Sequence, residues 1–233
     1  MLVFSVFWAE ARGKGADIMS TVKQAVSFYK FSKLKDLSTK RELILNKARE
    51  FCLFGTILLA EEGVNGMLWG EKSQLEKMKH MLEAYEDIGV LEFKWNDCPE
   101  QAFRRTLVKI KSEIITMRRD IDPLQETGKR LDPHEFQNWL ESGKDMVVLD
   151  TRNRYEYALG SFQGAIDPEI DSFEGFADYI DQHADQLQGK PVVTFCTGGV
   201  RCEKATAYMM QKGIQDVYQL EGGIIKYFEN VIS

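Results

Sequence analysis

Cysteine, histidine and proline are scarce in this chain of 233 residues, which has four, three and five of them respectively. None of the cysteines forms a Cys-x-x-Cys pair, so their spacing does not give a zinc framework. The histidines are scattered along the chain, which argues against an iron site made of two histidines and one carboxylate. The simplest interpretation is a cytoplasmic protein that carries a reactive thiol in a reducing environment.

Long apolar runs, nucleotide-binding glycine motifs and an excess of positive charge are also missing. No segment is long enough to span a membrane, and Arg12 and Lys14 follow the short apolar start, which is the wrong order for a secretory signal. No Gly-x-Gly-x-x-Gly motif follows a strand pattern, so a dinucleotide cofactor is not predicted. The formal net charge of −6 argues against indiscriminate coating of nucleic acid, so any RNA contact must come from a local basic patch.

The first half of the chain alternates strand and helix patterns in the order β-α-β-β-α-β, which predicts a ferredoxin-like (acylphosphatase-like) domain. Strands are predicted over residues 27–31, 54–60, 67–69 and 91–95, with a further strand over 107–116. Local signals place a helix N-cap at Ser38, a capping box at Ser73 and Glu76, and a tight turn at Asn65-Gly66.

The second half has the pattern of a parallel sheet flanked by helices. Asp132 as N-cap, Pro133 at the first helical position and Gly143 past the end bracket a helix. From Met146 onward the order is strand, loop, helix, strand, glycine loop, helix and strand, with right-handed connections expected. The predicted organisation is an N-terminal extension (1–26), a ferredoxin-like domain (27–117), a polar linker (118–131) and an α/β domain (132–233).

One cysteine begins a glycine-containing loop at the end of an apolar strand, where ligands bind in parallel sheets. This loop reads Cys196-Thr197-Gly198-Gly199-Val200-Arg201. Its backbone N–H groups, the following helix N-terminus and the arginine all attract an anion, so we predict that Cys196 is an exposed, ionised catalytic thiol. We predict that the anion or substrate is bound by Thr197, Gly198, Gly199, Val200 and Arg201. A cysteine phosphatase needs a loop one residue longer, so the size of this loop favours sulfur over phosphate.

Each of these residues also has a structural alternative. Cys196 can be a buried structural thiol, and Cys202 is either a resolving thiol for an oxidised Cys196 or a packing residue of the next helix. Arg201 either closes the loop or pairs with Glu203 or another nearby carboxylate. A further pair, Asp150 and Arg152, is predicted to brace the loop as a buried ion pair rather than to contact substrate.

A basic run in the middle of the chain is opposed only by Glu113. It consists of Arg104, Arg105, Lys109, Lys111, Arg118 and Arg119. The run is either a solvated face or a path for a phosphate backbone, with Phe103 or Trp95 available for base stacking. The possible RNA contacts are Arg104, Arg105, Lys109 and Lys111.

The glycine loop resembles the active loop of the rhodanese (sulfurtransferase) superfamily, and Val148-Leu149-Asp150-Thr151-Arg152 resembles a motif upstream of it. Longer stretches resemble one family of that superfamily, the bacterial tRNA uridine(34) hydroxylases of the TrhO type, formerly an uncharacterised rhodanese-related family. The stretches are Phe28-Tyr29-Lys30-Phe31, residues 55–66, Asp150-Thr151-Arg152-Asn153, residues 196–205 and residues 218–224. Members of the family continue past the last of these stretches into a further segment, whereas this chain stops at Ser233.

The resemblance implies a rhodanese domain in the second half and an oxidoreductase that hydroxylates C5 of uridine 34, the wobble position of tRNA, with Cys196 as the essential thiol. It also implies tRNA as partner and molecular oxygen as co-substrate. No cofactor or metal is evident from the sequence, and neither a membrane nor DNA is predicted as a partner. Two alternatives stay open: a sulfurtransferase that takes sulfur from thiosulfate or a persulfide, and a non-catalytic module that binds an anion or a partner.

Overall fold

The computed structural model of the chain describes residues 23–232. Most of the predicted N-terminal extension therefore lies outside the described residues. The described chain divides into two compact units, one ending at Ile114 and the other beginning at Ile115. None of the helices within residues 23–232 has the length and apolar character needed to cross a membrane.

The first unit is a five-stranded sheet with two helices. Its elements are β1 (Lys23–Phe31), α1 (Leu37–Glu50), β2 (Phe54–Ala60), β3 (Gly63–Glu71), α2 (Lys72–Glu83), β4 (Lys94–Asp97) and β5 (Thr106–Ile110). The strand order is β4-β1-β3-β2-β5, in which β5 runs parallel to β2 and the other neighbours are antiparallel. The order β-α-β-β-α-β confirms the predicted ferredoxin-like fold.

The core of this unit lies between one face of the sheet and both helices. Alternate strand residues such as Val26, Ile57 and Leu68 are buried against Ile44 of α1 and Met78 of α2. This is the expected result of a period of two along strands and of 3.6 along helices. The sequence pattern therefore identifies which face of the sheet is buried.

Gly66 lies inside β3 rather than in a turn, so the turn predicted at Asn65-Gly66 is wrong. Asn65 is paired with Leu58 of β2, and the chain reverses earlier, between the end of β2 and the start of β3. A Cβ atom at position 66 would overlap the ring of Phe28. The glycine is thus explained by a contact with a distant residue and not by the local backbone turn.

The helix starts predicted in this unit are also wrong. The N-cap of α1 is Asp36 rather than Ser38, and the N-cap of α2 is Glu71, so Ser73 and Glu76 do not form a capping box. Strand bounds differ as well: β1 begins at Lys23, β4 at Lys94, and β5 ends at Ile110. Only the strand 54–60 has the predicted bounds.

The second unit contains a four-stranded parallel sheet of order β6-β9-β8-β7. Its elements are β6 (Lys129–Leu131), α3 (Pro133–Glu141), β7 (Val147–Asp150), α4 (Arg154–Ala158), α5 (Glu174–His183), β8 (Val192–Phe195), α6 (Val200–Gln211), β9 (Val217–Leu220) and α7 (Gly223–Tyr227). Phe136 and Tyr227 pack in one core cluster and Phe176 and Met209 in another. Helices therefore cover both faces, as predicted for a parallel α/β sheet.

The segment predicted as a linker, 118–131, is part of the second unit. Its last residues form β6, which pairs with β9, and Thr127 donates a hydrogen bond to the carbonyl oxygen of Glu203. Just before the segment, Met117 is fully buried in the core of the unit. The polar sequence pattern did not reveal these contacts because they join residues far apart in the chain.

The cap of α3 makes a measurable contribution to stability. Asp132 accepts hydrogen bonds from the backbone N–H groups of His134 and Glu135, as predicted for an N-cap. We expect Asp132→Ala to lower the free energy of unfolding of the second unit by about 1 kcal/mol in urea denaturation. Asp132→Asn keeps a hydrogen-bond acceptor, so its free energy of unfolding is expected to stay within about 0.5 kcal/mol of the wild-type value. An equal loss of stability in both variants would contradict the capping role.

Candidate functional site

Cys196 lies directly after β8, at the carboxyl end of an interior strand of the parallel sheet. All residues of β8 are buried, which fixes the strand that delivers the cysteine. Thr151, which follows β7, donates hydrogen bonds from its backbone N–H and its hydroxyl to the carbonyl oxygen of Phe195. The carboxyl ends of neighbouring strands thus hold the start of the loop, in the place where parallel sheets bind ligands.

The glycine loop wraps around the sulfur. Gly199 adopts the left-handed conformation with φ of 101°, which favours glycine, and its N–H donates to the Sγ atom of Cys196 at 2.9 Å. Helix α6 begins at the next residue, so the positive end of its dipole lies beside the same sulfur. These groups stabilise negative charge on Cys196.

The backbone of the loop is tied to the start of α7. The N–H groups of Ile224 and Ile225 donate to the carbonyl oxygens of Cys196 and Thr197, at 2.9 Å and 3.3 Å. Gly223 has φ of 70°, and a Cβ atom there would lie 2.5 Å from the carbonyl oxygen of Cys196. Only glycine fits this close approach, a role that the sequence analysis did not assign to it.

The pKa of Cys196 is lowered to about 5. Burial alone raises it, but this is outweighed by a hydrogen bond from the Cys202 thiol, the charge of Arg201 and the backbone N–H groups of Arg201 and Gly199. The lowered pKa agrees with the predicted ionised thiol. The residue is fully buried, however, so the prediction of an exposed sulfur is wrong. Polar groups lie against the sulfur, among them the N–H of Gly199 and the thiol of Cys202.

Arg201 forms a forked ion pair with Glu156 of α4, at 2.6 and 2.8 Å, and does not pair with Glu203. Thr197 donates to the same carboxylate at 2.6 Å and accepts from Arg201. Burial raises the pKa of Glu156, but the hydrogen bonds from Arg201 and Thr197 lower it to about 2. Glu156 thus holds Arg201 beside the loop. In the sequence, its position three residues after Asn153 is a capping-box spacing, and that local signal marks Glu156 without indicating its role.

Cys202 is buried in α6, next to Cys196. Burial and its hydrogen bond to Cys196 raise the pKa of its thiol well above the ordinary value. The hydroxyl of Thr151 lies 3.8 Å from its sulfur. Cys202 is therefore a neutral thiol that donates to the neighbouring thiolate, and this position is compatible with a packing residue and with a resolving thiol.

Asp150 and Arg152 form a buried, bidentate ion pair. The guanidinium donates to both carboxylate oxygens at 2.7 to 3.2 Å, and Ser161 donates to one of them. The guanidinium also donates to the carbonyl oxygen of Gly160 and lies 5.3 Å from the centre of the Phe195 ring. The pair thus contacts the residue before Cys196, and its role as a brace of the loop stays a prediction.

The basic run is divided between the two units. Arg104, Arg105, Lys109 and Lys111 are exposed in the first unit, and within residues 23–232 none of them forms an ion pair. In the second unit, Arg118 and Arg119 pair with Glu174 and Asp178 of α5. The last two arginines therefore serve ion pairs within their own unit. Trp95 packs against the helix-side core, so it is not on the side of the sheet that carries Lys109.

Arg201 is the nearest full positive charge to the sulfur in the described site, so its removal has a predictable effect. We expect Arg201→Gln to move the midpoint of the pH dependence of Cys196 alkylation by iodoacetamide from about 5 to above about 7. Burial then raises the pKa without the opposing charge. The rate of alkylation at each pH is measured by mass spectrometry of the peptide that contains Cys196.

Arg130→Gln is the matched control for this measurement. It also removes an arginine, one that pairs with Glu203 of the same helix and is not among the groups that lower the pKa of Cys196. Its midpoint is expected to stay at the wild-type value. An unchanged midpoint in Arg201→Gln would show that backbone groups alone hold the thiolate.

Among residues 23–232, no group of three or more His, Cys, Asp or Glu side chains is arranged to hold a metal ion.

Two regions of the chain match the sequence patterns of known protein families. Residues 23–114 match the UPF0176 acylphosphatase like domain, and residues 132–230 match the rhodanese-like domain.

Whole-chain comparison finds relatives at about 40% identity, each named tRNA uridine(34) hydroxylase. The protein from Picosynechococcus sp. is 40% identical over 88% of this chain and 69% of its own length. The protein from Deinococcus radiodurans is 41% identical over 88% of this chain and 68% of its own length. The protein from Legionella pneumophila is 42% identical over 88% of this chain and 81% of its own length.

Proposed function

We propose that this chain hydroxylates C5 of uridine 34 at the wobble position of tRNA. The chain belongs to the family of tRNA uridine(34) hydroxylases, and this membership is the reason for the proposal. The observation that carries the proposal is the polar surrounding of the Cys196 sulfur, in which the N–H of Gly199 donates to Sγ at 2.9 Å and Arg201 and Cys202 help to lower the pKa of the thiol. A thiol ionised at neutral pH is the form that acts as a nucleophile.

Because Cys196 is fully buried, the proposed reaction begins with a movement of the loop that exposes the sulfur when tRNA binds. The Cys196 thiolate then adds to C6 of the uracil ring. This addition makes C5 nucleophilic, so that C5 attacks an oxygen atom derived from molecular oxygen. The second oxygen atom leaves as water and takes two electrons and two protons from a donor. Loss of the C5 proton and of the thiolate from C6 then restores the aromatic ring as 5-hydroxyuridine.

The surrounding residues have supporting roles in this proposal. The N–H of Gly199 and the guanidinium of Arg201 stabilise the thiolate before attack and again when it leaves. The ion pair of Asp150 with Arg152 keeps the strand end in position. If Cys196 is oxidised to a sulfenic acid, Cys202 is the adjacent thiol that forms a disulfide with it and releases water.

The first unit is proposed to position the tRNA through Arg104, Arg105, Lys109 and Lys111. These side chains are exposed and supply positive charge in a chain of net charge −6. Phosphate contacts of this kind orient a nucleic acid without reading its sequence. We also propose that the protein is cytoplasmic, because tRNA is its proposed substrate.

The experiment that tests the function is nucleoside mass spectrometry of tRNA. Cells that lack the gene are expected to lose 5-hydroxyuridine from position 34, and expression of the wild-type chain is expected to restore it. Purified chain with unmodified tRNA, molecular oxygen and a reductant is expected to form the same nucleoside. Normal 5-hydroxyuridine in the deleted strain, with no formation in vitro, would overturn the proposal.

A sulfurtransferase is the second candidate, because the match of residues 132–230 to a rhodanese-like domain is compatible with it. A loop of backbone N–H groups around a thiolate also suits a persulfide, which is an anion on the same sulfur. Rapid turnover of thiosulfate and cyanide by the purified protein would favour this candidate. Turnover near the uncatalysed rate, together with 5-hydroxyuridine formation, would favour the hydroxylase.

A further inference from the structure

The first unit packs both of its helices on one face of its sheet, and the residues that alternate with the core positions form the other face, which we call the open face. One row of paired residues crosses the whole sheet on this face. The row runs from β4 to β5 through Lys94, Ser27, Met67, Thr56 and Leu107. At the usual strand spacing, five strands make a surface about 19 Å wide.

The middle of the open face is accessible. Met67 is 48% exposed although it is a large apolar residue, and the other members of the row are partly exposed. On the helix face of the same strand, Leu68 is fully buried. Both ends of the open face are partly covered, because Asn65 donates to the carbonyl oxygen of Ile114 and Trp69 to that of Cys98. What remains is a band across the centre of the sheet.

Positive charge collects at the β5 edge of this band. The N–H of Gly55 donates to the carbonyl oxygen of Arg105, and the N–H of Lys111 donates to that of Leu59, so the pairing with β2 continues at both ends of β5. Because side chains alternate along a strand, Arg105, Lys109 and Lys111 project to the same side as Leu107. The basic run thus becomes a row of cations along one edge of the open face.

The opposite edge is also basic, and an aromatic ring lies beside it. The ammonium group of Lys94 is 5.8 Å from the centre of the Tyr29 ring. Tyr29 is in the row next to Met67, paired with Asn65. The register also places Glu71 on this side, at the end of β3 and outside the central band. The band therefore has cations at both edges and an aromatic, a methionine and a hydroxyl group between them.

We propose that the open face binds the single-stranded anticodon loop of tRNA. The bases lie against Tyr29, Met67 and Leu107, and the phosphates lie near Lys94, Arg105, Lys109 and Lys111. Single-stranded RNA is bound by this combination of a stacking platform and a basic border. The inference rests on the proposed function, because it takes tRNA as the substrate. The stacking ring is Tyr29 instead of Trp95, which lies on the helix side of the sheet.

The charge on the open face is tested by RNA binding. The probe is a fluorescent RNA hairpin containing an anticodon stem and loop with U34, and binding to the full chain is followed by anisotropy at several salt concentrations. We expect Lys109→Ala/Lys111→Ala to weaken binding by roughly tenfold and to lower the slope of log affinity against log salt by about 1.4. Lys47→Ala/Lys77→Ala removes two charges from the helix side of the same unit and is expected to bind within about twofold of wild type.

The centre of the face is tested with a second matched pair. Met67 is 48% exposed on the open face and Leu43 is 49% exposed on α1. We expect Met67→Glu to weaken binding of the hairpin by at least about tenfold, because it places a negative charge under the bases, and Leu43→Glu to leave it unchanged. Both positions are at the surface, so the variants are expected to keep the wild-type fold, which circular dichroism checks.

The outcomes separate this inference from the proposed function. Wild-type protein that binds the hairpin through this face but forms no 5-hydroxyuridine would leave the inference standing and overturn the function. Equal binding by wild type and all variants, or no binding by wild type, would overturn the inference. If Met67→Glu changes the oligomeric state in light scattering but not RNA binding, the face is a protein interface and the inference is also overturned.

Discussion

Cells that carry Cys196→Ser in place of the wild-type chain are expected to contain less than roughly one hundredth of the wild-type amount of 5-hydroxyuridine in tRNA. The loop stabilises a thiolate, whereas a serine hydroxyl has a pKa far above neutrality and stays protonated there. The hydroxyl is also a weaker nucleophile toward C6 of uracil. Nucleoside mass spectrometry of tRNA from the complemented strains measures the effect.

The control for this variant is Cys52→Ser, which changes an exposed thiol of the first unit. It is expected to support the wild-type level of modification. Serine is close in size to cysteine, so Cys196→Ser is expected to fold normally, and thermal unfolding followed by circular dichroism checks this. A normal level of 5-hydroxyuridine in the folded Cys196→Ser strain would remove this residue from the mechanism.

Asp150→Ala is expected to lower the free energy of unfolding of the second unit by about 3 to 5 kcal/mol in urea denaturation. Asp150 is fully buried and Arg152 is 6% exposed, so the change leaves a buried guanidinium without its carboxylate. Ser161 loses its acceptor as well. The loss is large because an unpaired charge in the interior cannot recover its hydration.

Two variants make this result specific. Asp145→Ala breaks an ion pair with Lys190 in which the carboxylate side chain is 76% exposed, and it is expected to change stability by less than about 1 kcal/mol. Asp150→Leu/Arg152→Leu removes both buried charges and is expected to recover most of the loss. A small effect of Asp150→Ala, equal to that of Asp145→Ala, would show that the pair does not brace the strand end.

Features encoded by neighbouring residues could be predicted from the sequence. The helix bracketed by Asp132 and Gly143, the strand from Phe54 to Ala60 and the position of Cys196 after a strand all depend on signals within a few residues. The order of elements then followed, because the preferred connections between strands and helices allow few alternatives.

Features that depend on distant contacts could not be predicted. Glu156 holds Arg201 across 45 residues of sequence, and nothing local to either residue identifies the partner. The backbone of Cys196 is held by a hydrogen bond from the N–H of Ile224, which lies in a later helix. Gly66 was predicted to be a turn residue, but the constraint on it is the ring of Phe28, 38 positions earlier, which a Cβ atom would overlap.

The tie between Gly223, Ile224 and the cysteine loop has a consequence for variation among related sequences. The groups that hold the loop in shape are main-chain amides and carbonyls, which any amino acid supplies, and the stringent requirement falls on a glycine whose side chain would collide with the loop. Val200 therefore has room to diverge and adjust which molecule is accepted, whereas Thr197 is tied to Glu156 and Arg201 through its hydroxyl. Substrate specificity can therefore change during evolution while the geometry around Cys196 stays the same.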